Sequence, residues 1–282
     1  MIWLQFFFLA GAWGASFLFM RQAVPAFGPL PLIAVRVGSA SLLLLPWAWP
    51  HRAKLLARWP QVLLLGLVNN ALPFSLLAWA LRELAAGHGS ILNAMTPLFV
   101  ASLGQLFFSQ RQPPAVWLGL ILGLLGIVLT LEPWRHQGAL PWMPTFAGLL
   151  ATASYGYGVH YFRRFQDLPA LAGAFANTSG ALVWLLIPSL LTWPAHAVPA
   201  AAWASALSLG VVCTALAWSV FIHLYKAWGP LRTSLVTYLI PFFGILWGWL
   251  FLNELPQGGW WLGLAFVLGG LWLAQRRPRA IK

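Results

Sequence analysis

Residues 93–108 read NAMTPLFVASLGQLFF, and residues 237–252 read TYLIPFFGILWGWLFL. Sliding the chain on itself by 144 positions lays Pro97 on Pro241, Gly104 on Gly248 and Phe107 on Phe251. The superposition runs without gaps from 69–129 onto 213–273, and it carries Trp117-Leu118-Gly119-Leu120 onto Trp261-Leu262-Gly263-Leu264. Sixteen of the 61 superposed positions are identical. Both copies put a proline in the middle of an apolar run. There it deletes one helical hydrogen bond and clashes with the carbonyl a turn earlier. A chain that repeats over this length is two copies of one unit.

The solvent of this chain is lipid. Hydrophobic residues make up 61% of the 282 positions and charged residues only 7%, and the mean hydropathy is +0.79. A soluble domain carries about 25% charged residues. Nineteen tryptophans fit the same reading, since their amphipathic rings settle at the lipid–water boundary. The net charge of +12 would point to nucleic acid in a soluble protein. Here the basic residues sit between apolar runs, so membrane topology accounts for them and no nucleic-acid partner is expected. Cys213 is alone, which leaves no intramolecular disulfide and no cysteine metal cluster. Met1 to Met20 lacks a basic n-region, so this first apolar run is expected to be retained.

A helix needs about 20 apolar residues to cross the hydrocarbon core. Ten such spans are expected, at 2–20, 30–49, 60–82, 88–109, 113–131, 144–164, 169–192, 202–226, 230–252 and 257–275. With the N-terminus inside, the cytoplasmic segments hold Arg52, Lys54, Arg58, Arg111, Arg163, Arg164, Lys226, Arg232, Arg276, Arg277, Arg279 and Lys282. The other side holds Arg21, Arg82 and Arg135, with Arg36 inside a span. Twelve against three puts both termini in the cytoplasm.

Each half then holds five spans, an odd number, so the second copy crosses upside down. Trp13-Gly14 and Arg21 also align with Tyr155-Gly156 and Arg163, at an offset of 142. The repeat therefore reaches the start of each half. The expected fold is an all-α membrane protein of ten transmembrane helices in two inverted five-helix repeats, 1–135 and 136–282. Inverted repeats place a binding site near the midplane and lend themselves to alternating access.

The stretch YKAWGPLRTSLVTYLIPFFGILWGWLFLNEL (225–255), the WLGL run after it and Gly269-Gly270 resemble the second repeat of the EamA family of the drug/metabolite transporter superfamily. Trp13-Gly14-Ala15-Ser16-Phe17 resembles the family's first-span WG motif, and Arg36 its second-span arginine. The first copy has Gln110 where the second has Glu254, so an acid there is not essential in both halves. The resemblance covers almost the whole chain. It implies the ten-helix fold of that superfamily and export of small metabolites, often amino acids.

Pro97 and Pro241 are read as symmetry-related hinges whose freed carbonyls must face protein, water or ligand; the plainer reading is a static kink tolerated by packing. Near their depth lie Trp13, Asn69, Asn70, Phe74, Asn93, Thr96, Tyr155, Tyr157, Asn177, Trp218 and Tyr238, with Phe17 beside them. Amides at the bilayer centre are expensive unless they meet a partner or a wet cavity. Asn69-Asn70 superposes on Cys213-Thr214 and Phe74 on Trp218, so both third spans pair a polar site with an aromatic one. Aromatics with a few polar groups suit a neutral or zwitterionic organic solute. The plainer reading is that these rings face lipid or pack helices together. Arg36, about six residues inside its span, either grips a substrate carboxylate, snorkels, or bonds the ends of broken helices.

Glu83, Glu132, Asp167 and Glu254 all fall at span ends, leaving no acid near the midplane. That leans toward facilitated diffusion or loosely coupled exchange. His160 and His223 lie nearer the cytoplasmic ends, where packed or solvated histidines are the commoner case. Glycines 119, 123 and 126, with Gly263 and Gly270, allow close helix approach. Packing within one monomer is the default reading, and dimerisation through the fifth and tenth spans the alternative. No Walker-type loop and no His-Glu-x-x-His run occurs. No cofactor is expected.

The expected function is a secondary transporter that moves small amphipathic metabolites outward, with hydrophobic and aromatic amino acids the leading class. The expected partners are a small-molecule solute and the bilayer. The rival within transport is a drug or lipid exporter of the same fold. An intramembrane lipid-modifying enzyme would need a catalytic cluster at one depth, and a membrane sensor or scaffold would lack a continuous polar cavity.

Overall fold

The computed structural model describes residues 2–80, 82–83, 92–131, 141–252 and 259–275. Glu132, Arg135, Glu254 and the basic cluster Arg276, Arg277, Arg279 and Lys282 lie outside the described residues. Among those described, all regular structure is helical. Helix α1 is Ile2–Phe27, and α2 is Pro29–Ala48, prolonged by a tight turn and a short helix to Ala57. Then follow α3 (Trp59–Ala80), α4 (Thr96–Phe108), α5 (Pro114–Leu131), α6 (Trp142–Tyr161) and α7 (Ala170–Leu191). The series closes with α8 (Ala200–Trp228), α9 and α10 (Trp260–Gln275). Helix α9 is made of Pro230–Ser234 and Ile240–Leu252, joined by the 3-10 stretch Leu235–Tyr238.

Six of these, α1, α2, α3, α7, α8 and α9, are long and apolar enough to cross a membrane. The described parts of α4, α5 and α10 form shorter apolar helices. Each expected span has a helix within it, although α1 runs on to Phe27 rather than stopping near residue 20. What stops it is Gly28, whose φ of 76° would strain any side-chain-bearing residue. Pro29 then opens α2 at a helical position where its missing N–H costs nothing. Gly229, at φ 81°, and Pro230 repeat this device between α8 and α9.

Two further irregularities fall at matching places. Helices α3 and α8 both widen into a π turn, at Leu67–Ala71 and at Val211–Leu216. The sequence reading makes Pro97 and Pro241 kinks in mid-helix, whereas the structure makes each the second residue of a helix, Thr96–Phe108 and Ile240–Leu252. A turn at Met95 precedes the first, and the 3-10 stretch precedes the second. Proline without an N–H is tolerated in a first turn and not within a ladder, so the chain breaks the helix and begins a new one. The Thr96 hydroxyl donates to the Asn93 carbonyl at 2.6 Å. That carbonyl is the one an N–H at position 97 would have bonded.

Close packing follows the same spacing. A β-carbon on Gly14 would sit 2.7 Å from Phe243 Cβ and 3.0 Å from the Gly244 nitrogen. On Gly156 it would sit 2.8 Å from Phe99 Cβ and 3.1 Å from the Val100 nitrogen. Phe99 and Val100 superpose on Phe243 and Gly244 at 144. Thus α1 beds against α9 as α6 beds against α4. Gly66 of α3 lies against the backbone of Gly180 and Ala181 in α7, and Gly210 of α8 against Ser39 and the Arg36 carbonyl in α2. Finally, α5 and α10 press together through Gly119 on Gly270 and Gly126 on Gly263. Those glycine faces are spent inside one chain.

At one end, Trp3 meets Trp228 at 5.1 Å between ring centroids. At the other, Phe27 meets Trp203 at 4.8 Å. Helices α1 and α8 therefore run antiparallel. Near the Trp3 end, Arg58 donates to Asp167 at 2.8 Å and Lys54 lies 3.7 Å from the same carboxylate. Hydrogen bonding from Arg58 holds the Asp167 carboxyl below the usual carboxylate range.

Candidate functional site

A cavity lies where α4 and the second part of α9 begin. The space open to the centre of a water molecule is about 90 Å³, several times the roughly 10–15 Å³ that one water needs by the same measure. Helix α1 contributes Trp13, Ser16, Phe17 and Met20, which fall on one face because they are spaced at three, four and seven residues. Arg36 comes from α2, Phe74 and Leu77 from α3, and Tyr155 and Val159 from α6. Asn93 and Thr96 enter at the first helix break and Ser234, Thr237 and Ile240 at the second. Trp218 and Phe221 of α8 complete the wall.

The aromatic wall is continuous. Trp13 meets Trp218 edge-on at 6.0 Å and Phe221 at 5.6 Å, and Trp218 meets Phe221 at 5.0 Å. Across from it, Phe74 packs on Tyr155 at 6.1 Å. Beyond Phe221 the rings close ranks toward the Trp3 end: Tyr225, Phe162, Phe165 and Tyr161 follow in sequence of contact. His160 belongs to this closed side. It stacks on Phe108 at 4.6 Å, and its Nε2 lies 2.7 Å from the Val100 carbonyl oxygen. Phe17, Met20 and Leu77, facing the other end, stay half-buried.

Among the described residues, Arg36 is the one charged group lining the cavity, and it is only 3% exposed. Its Nε donates to Thr214 Oγ1 at 2.7 Å and its Nη2 to the Cys213 carbonyl at 3.4 Å. The guanidinium carbon lies 4.0 Å from the centre of the Phe74 ring, a cation–π distance. The π turn of α8 thus supplies both acceptors, a carbonyl and a hydroxyl.

Eight residues singled out from the sequence meet here: Trp13, Phe17, Arg36, Phe74, Asn93, Thr96, Tyr155 and Trp218. Five others lie behind the wall. Tyr238 is buried, and its hydroxyl donates to the Leu120 carbonyl at 2.7 Å, tying α9 to α5. Tyr157 packs between Phe108 and Tyr161. Asn70 supports the wall, accepting from Trp218 Nε1 at 3.0 Å and donating to the Asn177 carbonyl at 3.2 Å. Asn69 and Asn177 are fully buried, and their amide groups have no hydrogen-bond partner among the described residues. Pro97 and Pro241, read from the sequence as hinges, each sit beside a lining residue, Thr96 and Ile240.

Ser16, Met20, Leu77, Val159, Phe221, Ser234, Thr237 and Ile240 line the cavity without having been singled out. A signal for several was present. Ser16 and Met20 share the Trp13 face, Leu77 is three residues from Phe74, Phe221 three from Trp218, and Val159 four from Tyr155. Among the described residues, no group of histidine, cysteine, aspartate and glutamate is placed to hold a metal ion.

Comparison with known proteins bears on what such a cavity is for. The model of the EamA-like transporter family matches residues 1–132 and again 142–275. An uncharacterized transporter of Synechocystis, sll0355, is 28% identical over 95% of this chain and 87% of its own length. A protein of Streptantibioticus cattleyicolor named "Probable terminal-alkyne amino-acid exporter" is 25% identical over 94% of this chain and 90% of its own. A solved crystal structure shares the fold, with a TM-score of 0.77 at 19% identity, covering 96% of this chain and 95% of that one.

Proposed function

This chain belongs to the EamA-like transporter family, and we propose that it exports small amphipathic metabolites across the cytoplasmic membrane, hydrophobic and aromatic amino acids foremost. The observation that carries this reading is the cavity itself. It lies where two helices break, it is walled by aromatics, and it draws lining residues from both copies of the repeat. Sites built at paired helix breaks are the usual arrangement in transporters made of inverted repeats. The name of the Streptantibioticus relative favours amino acids as the solute class.

The architecture in this reading is ten transmembrane helices in two inverted repeats, 1–135 and 136–282, with both termini cytoplasmic. Matched packing of α1 on α9 and of α6 on α4 supports the duplication, as do the two π turns. With the Trp3 end in the cytoplasm, the aromatic plug closes the inner side and the cavity faces outward. Alternating access then exchanges the roles of the two copies. The relative described as an inner membrane transporter, YedA of Escherichia coli, supports the same compartment. Among the described residues no carboxylate lines the cavity, and transport is proposed to run down the solute gradient without an obligatory proton.

Purified protein in liposomes tests this reading. Labelled phenylalanine or leucine should equilibrate faster than in protein-free vesicles, and an uncoupler should leave the rate unchanged. Trp13→Ala should slow flux roughly tenfold, since a lost aromatic contact is worth on the order of 1 kcal/mol beyond its area, while the protein still elutes as a single species. A full amino-acid panel that shows no flux would remove the proposed solute class.

A further inference from the structure

We propose that Arg36 is the receptor for a carboxylate on the transported solute, and that the site recognises this anion rather than an α-amino group. The inference rests on the cavity being the transport site, and it names the chemical class that the site takes.

The charge inventory of the cavity is lopsided. Arg36 is buried, and every other lining residue among those described is neutral. An ion taken out of water without a counter-ion costs several kcal/mol, and a cation placed mid-span is costly on every membrane scale. The protein offsets part of this with a hydroxyl, a carbonyl and the Phe74 ring, none of them an anion. A guanidinium has five N–H donors in a rigid fork. Among the described residues two are taken, by Thr214 and Cys213, which leaves three for whatever enters the cavity. A carboxylate accepting two parallel N–H bonds fills that remainder best.

Were Arg36 only a strut between α2 and α8, its Thr214 bond would suffice and the cavity would have no use for a charge. The opposite wall sets the rest of the ligand. Trp13, Trp218 and Phe221 present rings to an apolar or aromatic tail. Among the described residues, no acidic side chain is there to pair with an ammonium group. An arylalkanoate has the required parts, and an α-amine on it is tolerated rather than read.

The experiment uses three probes on the full chain in nanodiscs: 3-phenylpropionate, its carboxamide 3-phenylpropionamide, and phenethylamine. Binding is read as ligand-dependent stabilisation against thermal unfolding. The carboxylate should bind at least about tenfold more tightly than the isosteric carboxamide, as expected for hydrogen bonds to a charged group, and the amine should bind no better than the amide. This comparison needs no variant. Arg36→Gln should abolish the preference for carboxylate over amide, and Arg36→Lys should restore part of it, because lysine keeps the charge and loses the fork. Equal binding of carboxylate and carboxamide, or a preference that survives Arg36→Gln, overturns the proposal. So does the absence of binding by all three probes. In that event, flux of neutral solutes in the liposome assay shows whether the transport reading stands without it.

Discussion

At Leu67–Ala71 the widened turn of α3 carries two amides, and at Val211–Leu216 the matching positions of α8 hold Cys213 and Thr214. The backbones match: each helix widens at the same point, and each follows a glycine pressed into the second helix of the other copy. Their chemistry differs. The first turn uses Asn70 to brace Trp218 and to bind the Asn177 carbonyl. The second turns a hydroxyl and a carbonyl toward Arg36, whose counterpart at an offset of 142 is the neutral Thr178. Duplication supplied a symmetric frame, and polarity was then placed on one side of it.

The glycines before the turns offer the sharpest way to break this comparison. Gly66→Ala drives a methyl into the backbone of Gly180 and Ala181, which has no rotamer to escape into. It should cost about 3 kcal/mol or more, the upper part of the range for overpacking. Gly210→Ala meets first the Ser39 hydroxyl, which can turn away, although the Arg36 carbonyl stands close behind. About 1–2 kcal/mol is expected there. Thermal melting of both variants in nanodiscs measures the difference, and equal losses would mean that the two contacts are equally rigid.

A smaller effect probes the braces themselves. Trp218→Phe keeps the ring in the wall but leaves Asn70 Oδ1 buried without its donor. An unsatisfied buried acceptor costs roughly 1–3 kcal/mol. Adding Asn70→Leu should restore part of the loss, because the orphaned group is removed with its partner. Additive losses would dissolve the pair as an energetic unit.

The smallest effect is expected where the copies meet in water. Asp167 sits between Arg58 and Lys54 on exposed side chains, and exposed pairs contribute little. Its depressed carboxyl makes a stabilising contribution that is complete above the ordinary value of 3.8. That contribution disappears as pH falls through the lower folded value. Asp167→Asn should therefore cost a little stability at neutral pH and none at the acid end of a stability–pH profile, where the charge is already lost. A loss that persists unchanged at neutral and acid pH alike would show that packing, not charge, holds the loop.

Much of the frame could be read from residue spacing alone. The superposition of Pro97 on Pro241 located both helix breaks, and glycines 119, 126, 263 and 270 announced the α5–α10 seam. The direction in which a side chain points was harder to read. Asn69, Tyr157, Asn177 and Tyr238 share the depth of the cavity but face neighbouring helices. In helices apolar on every side, no polar stripe marks which face is inward. Depth selects a slab of residues, and only the rotation of each helix selects among them. Extending each anchoring aromatic by three or four positions would have brought in Ser16, Leu77, Val159 and Phe221. The proline breaks were misread as kinks because the 3-10 stretch before Ile240 leaves no mark in an apolar sequence.

The bedding of α1 on α9 has a bearing on how the protein is made. Gly14 leaves the ribosome well before the Phe243–Gly244 surface it fits against. Until α9 has been made, the notch in α1 stands vacant, and the groove of α4 waits in the same way for α6. A fragment ending near residue 135 would enter the bilayer with two open seams, each shaped for a helix encoded in the missing part. Supplying that part as a second polypeptide should close them.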